Sequence, residues 1–71
     1  MPNSERDPRT DPRPGDVLGF PGGTTKTVIG IEQTDQGTKI RYAFQDGWLS
    51  RCFEDEWERW NKDAEVLYRG E

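Results

Sequence analysis

The sequence predicts a mainly β fold, a small antiparallel barrel of five short strands with one short helix placed before the last of them. Three observations predict it. Between Ile40 and Phe53, IRYAFQDGWLSRCF, two runs of alternating apolar and polar residues flank an Asp-Gly pair, the signature of a β-hairpin. Upstream, Thr24 to Gln33 (TTKTVIGIEQ) is rich in β-branched residues, which suit a pleated surface. Downstream, EDEWERWNK, from Glu54, is the stretch with helical spacing. Four strands, a helical turn or two, then a fifth strand is the element order of an SH3-like barrel. An OB fold would place its helix between strands three and four, where this chain has only a turn.

Met1 to Arg13 combines Pro2, Pro8 and Pro12 with charges of both signs and no apolar periodicity. Burial cannot offset its ordering entropy, so residues 1–13 are expected to form a disordered N-terminal arm ahead of a barrel domain over 14–69. Pro14-Gly15-Asp16 makes a turn into a short apolar strand carrying Val17, Leu18 and Phe20, ended by Pro21-Gly22-Gly23. In the second strand, Gly30 marks a bulge or bend. Thr34 to Gly37 (TDQG) turns the chain, and Thr38 opens the third strand.

If Asp46 and Gly47 are the two central residues of a tight turn, both take positive φ and Gln45 pairs with Trp48. Ile40, Tyr42, Phe44, Leu49, Arg51 and Phe53 then share the core face, while Arg41, Ala43, Gln45, Trp48, Ser50 and Cys52 share the outer one. After this hairpin, Phe53, Trp57 and Trp60 fall at i, i+4 and i+7 on one helical face. Acidic residues at the helix start suit the positive end of its dipole, Asn61 caps the far end, and Ala64 to Tyr68 (AEVLY) closes the fold as the fifth strand.

Seventy-one residues hold one domain with a modest core. A single cysteine, Cys52, excludes an internal disulfide, and with no histidine a zinc site would lack its usual ligands. No metal or cofactor is expected. Without an apolar stretch of membrane-spanning length or a signal-like start, the expected setting is the cytoplasm. The net charge of −4 lies in the last quarter: residues 54–71 carry seven acids against three bases, whereas residues 17–53 carry three acids against four bases. That distribution argues against general polyanion binding but leaves room for a local basic patch.

The motifs favour an interaction role over catalysis. Gly19 to Thr27 mixes glycines with Lys-Thr but has neither the spacing nor the following helix of a phosphate-binding loop. Glu54, Glu56 and Glu58 read as a solvated helix face. Cys52, expected at the surface or partly covered, has no histidine to activate it. Trp48, a large aromatic on the expected outer face, is the candidate partner-binding residue, together with Arg41 and Ser50. The alternative is a nucleic-acid surface built from Lys26, Lys39 and Arg41 with aromatic stacking. A third reading treats the acidic C-terminal quarter as a nucleic-acid mimic that blocks an enzyme.

Asp11-Pro12-Arg13-Pro14-Gly15-Asp16-Val17, followed by Trp57-Glu58-Arg59-Trp60 and Ala64-Glu65-Val66, resembles a group of small uncharacterised proteins from tailed phages and prophages. The resemblance spans residues 11–67. It implies an SH3-like barrel of unknown role in a bacterial or phage cytoplasm, and brings no catalytic residues. The helix here is more acidic than the Arg-rich one of that group. Taken together, the sequence points to a small non-enzymatic module whose partner is a protein, with oligomeric state left open.

Overall fold

In a computed structural model, which describes residues 6–70, five antiparallel strands form one sheet with a short helix against it. The elements are β1 (Val17–Gly19), β2 (Thr25–Thr34), β3 (Gly37–Phe44), β4 (Leu49–Phe53), α1 (Glu54–Trp60) and β5 (Glu65–Tyr68). Their order across the sheet is β4-β3-β2-β1-β5, so the chain meanders from β1 to β4 and then returns to pair β5 with β1. The bulge expected at Gly30 is present: Val28 pairs with Tyr42 and Gly30 with Arg41, leaving Ile29 as the extra residue.

Leu18, Val28, Ile40, Tyr42, Cys52, Trp57 and Ala64 form the buried core, with Phe20, Ile31, Phe44 and Val66 packed around it. Trp57, fully buried, ties the helix to the sheet, and its ring meets Tyr42 edge-on at 5.2 Å between centroids. Asn61 ends α1 as expected, with its backbone N–H and its side-chain Nδ2 both donating to the Trp57 carbonyl.

The hairpin between β3 and β4 differs from the expected register by one residue. Ala43 pairs with Leu49, Tyr42 with Ser50, Arg41 with Arg51 and Ile40 with Cys52. The cause is the turn. The Phe44 amide donates to the Trp48 carbonyl and the Gly47 amide to that of Phe44, so Gln45, Asp46 and Gly47 make a three-residue loop. Gly47 takes φ 94° and is the residue with positive φ there; Asp46 is not. Because side chains alternate with period two, a one-residue slip inverts the whole of β4. Cys52 is therefore core, not surface, while Leu49 and Arg51 are exposed rather than inward. β3 keeps its expected face, with Ile40 and Tyr42 buried and Phe44 half-buried.

Part of the expected N-terminal arm has a defined place on the domain. Residues 6–13 are laid against the domain: Pro8 and Pro12 are buried, and the Pro8 carbonyl accepts a 2.9 Å hydrogen bond from the Trp57 indole. Arg9 reaches the carbonyl of Ala64. Arg6 forms a two-pronged ion pair with Asp16 at 2.7 and 2.8 Å, and the same carboxylate accepts the amides of Arg13 and Gly70. The order that local sequence could not supply comes from contacts at long separation. Residues 1–5 of the expected arm lie outside the described residues.

Candidate interaction site

The sequence-selected residues divide between two places. The Phe44–Trp48 hydrogen bond at the hairpin end sets Trp48 beside Phe44 on the core-side row, yet Trp48 is 73% exposed. Its exposure arises because it stands past the end of the packed core, not because it belongs to the outer face. There Trp48 lines an open groove of about 550 Å³ with Thr24, Phe44, Gln45 and Asp46. Two aromatic rings form its apolar part. The Asp46 carboxylate accepts the Trp48 amide at 3.2 Å and makes no ion pair among the described residues.

Arg41 and Ser50 lie elsewhere. Together with Ile29, Leu49 and Arg51 they border a depression of about 160 Å³. Arg41 is on the sheet's outer face, whereas the slip turns Ser50, paired with Tyr42, to the core-side row of Cys52 and Trp48 and not to the outer face expected of it. The groove and this depression share no residue, so Trp48, Arg41 and Ser50 do not form one contiguous site.

Lys26 is the largest departure from the expected surface. Val28 points into the core, and period-two alternation carries Lys26 to the same side of β2. Its ammonium is enclosed by Phe20, Tyr42, Phe44, Trp57 and Trp60, with ring centroids between 5.0 and 6.0 Å away. One hydrogen bond of 2.9 Å runs to the Asn61 side-chain oxygen, and among the described residues no carboxylate pairs with the charge. Burial lowers the Lys26 pKa below its ordinary value. The ring quadrupoles act in the opposite sense, attracting the cation to their faces. Lys26 is thus occupied inside the molecule and does not stand beside Lys39 and Arg41 on the outer face. Lys39 is partly covered and lies 3.9 Å from Glu32.

Sequence reasoning passed over Lys26 as a core residue, although its parity with Val28 was the signal that would have found it. Cys52 offers no nucleophile here: burial first, then nearby Glu56, pushes its thiol up to about 11, so it stays protonated at neutral pH. Among the described residues no group of three or more carboxylates or cysteines is placed to hold a metal ion. No helix among them is long and apolar enough to cross a membrane.

Comparison of the chain with known protein families, curated proteins and solved structures finds no match. The site therefore rests on its own chemistry.

Proposed function

We propose that this chain is a small non-catalytic interaction module that binds a protein partner through the groove at Trp48. The observation that carries this reading is a tryptophan 73% exposed beside a half-buried phenylalanine, with an unpaired carboxylate at the same opening. Aromatic side chains in such positions supply contact area at low entropy cost. The Asp46 carboxylate adds a preference for a segment whose lysine or arginine lays its aliphatic stem along the rings. The sheet order, the bulge at Ile29 and the helix ahead of β5 support a partly open SH3-like barrel, unpaired between β4 and β5, which would put the groove at one end. A cytoplasmic setting and a phage or prophage origin belong to the same reading, the latter on the resemblance of residues 11–67 alone.

A nucleic-acid role is the second reading, favoured by the row of Lys39, Arg41 and Arg51 on the outer face. It no longer includes Lys26.

The test of the first reading is Trp48→Ala, measured against an array of lysine- and arginine-containing peptides. Exposed as it is, Trp48 should cost the fold no more than about 0.5 kcal/mol when truncated, so thermal unfolding stays put while peptide binding is lost. Unfolding of the variant, or unchanged binding to every peptide that the native protein retains, would remove the proposal.

A further inference from the structure

β4 pairs with β3 and, among the described residues, has no strand on its other side, so its outer edge presents backbone donors and acceptors without a sheet partner. The outer face beside that edge is unusual for an acidic chain. Arg41 and Arg51 stand directly opposite each other across the β3–β4 ladder, with Lys39 two residues along on the same face. Like charges directly opposed across a sheet are destabilising. No acidic side chain among the described residues forms an ion pair with either arginine, although the chain holds fourteen acids. Exposed Ile29 and Leu49 border the two guanidinium groups in the same depression.

We propose that the open edge of β4 receives an extended acidic peptide from a protein partner as a sixth strand, with its carboxylates on Arg41 and Arg51. Each part of the surface matches one part of such a ligand. The strand edge offers main-chain hydrogen bonds, which give affinity in strand addition. The paired guanidinium groups donate charge-assisted, two-pronged hydrogen bonds to carboxylates, and the anion relieves their mutual repulsion. Leu49, two residues from Arg51 on the same face of β4, packs against the aliphatic stems of those acidic side chains. A nucleic acid would leave the strand edge unused, and aliphatic side chains do not give bases the aromatic faces on which they stack. A twofold pairing of two copies centred on Arg51 would bring arginine against arginine, which disfavours that form of self-association.

This surface is separate from the Trp48 groove, so the two proposals stand or fall independently. The experiment is an amide-resolved NMR titration of the full chain with a short peptide of alternating glutamate and valine. Parallel titrations use its lysine–valine counterpart, the acidic peptide N-methylated at alternate amides, and a single-stranded oligonucleotide. The acidic peptide should shift the amides of Leu49 to Cys52, with affinity falling about tenfold or more in the exposed double variant Arg41→Gln/Arg51→Gln. N-methylation should abolish binding, and Trp48→Ala should leave it unchanged. Equal binding of the lysine peptide, binding indifferent to N-methylation, or an oligonucleotide bound through Arg41 and Arg51 in place of the peptide would each overturn the proposal. Absence of binding by all four ligands would overturn it equally.

Discussion

Lys26 shows how one residue reads differently in one dimension and in three. A lysine on a strand is ordinarily solvated, since desolvating an ammonium is costly. Here five aromatic rings and the Asn61 oxygen replace its water, which makes its charge part of the core. Lys26→Met keeps the length of the side chain but leaves the buried Asn61 oxygen unpaired. Loss of about 1–3 kcal/mol of stability is expected, read as a lower denaturant midpoint with unchanged slope. A variant as stable as the native protein would mean the rings hold the lysine only by its aliphatic stem. Cys52 makes a second prediction at this scale. Its thiol pKa is raised on folding from 9.0 to about 11, so the folded state holds the proton that the unfolded chain releases. That contribution is present in full below pH 9 and is lost as pH rises toward 11. Thermal unfolding of Cys52→Ala should show a shallower alkaline decline over that window; an identical decline would rule the thiol out as its source.

At the scale of elements, the N-terminal segment and the β3–β4 turn decide most. Residues 6–13 hold the Trp57 indole through Pro8 and the Asp16 carboxylate through Arg6, joining the start of the chain to Gly70 near its end. Both side chains of the Arg6–Asp16 pair are nearly closed to solvent. Removing one partner of a buried pair leaves the other charge uncompensated. Arg6→Ala is therefore expected to cost about 3 kcal/mol, the low end for a buried pair, a large share of a small domain's stability. A circular-dichroism melt measures the cost, and an unchanged melting temperature would show the segment to be dispensable. In the turn, a single added loop residue moves Cys52 inward and Arg51 outward. Asp-Gly marked the hairpin correctly; it did not distinguish a two-residue loop from a three-residue one, because Gly47 supplies the required positive φ in either.

For the molecule as a whole, acid should weaken the fold through Asp16. Burial alone would raise its pKa, but the Arg6 guanidinium and the amides of Gly70 and Arg13 outweigh it, and the folded value lies below the ordinary 3.8. A depressed carboxylate stabilises the fold in full above its unfolded pKa, and that contribution is lost as the pH falls through the folded one. Stability should therefore decline below about pH 4, more steeply in the native protein than in Asp16→Asn, as followed by urea unfolding across pH. Parallel acid limbs for the two proteins would show that other carboxylates set the decline.

What the sequence by itself determined is the set of elements: five strands, the helix at Glu54–Trp60 with Asn61 at its end, the bulge near Gly30, and the inward row of Ile40 and Tyr42. These follow from local periodicity, propensity and turn chemistry, which act over a few residues. Tertiary structure alone decided the docking of residues 6–13, the enclosure of Lys26 and the separation of Trp48 from Arg41 and Ser50. Each of these depends on a partner many residues away or on one hydrogen bond's worth of register. Local composition carries no information about such contacts until the sheet brings them together.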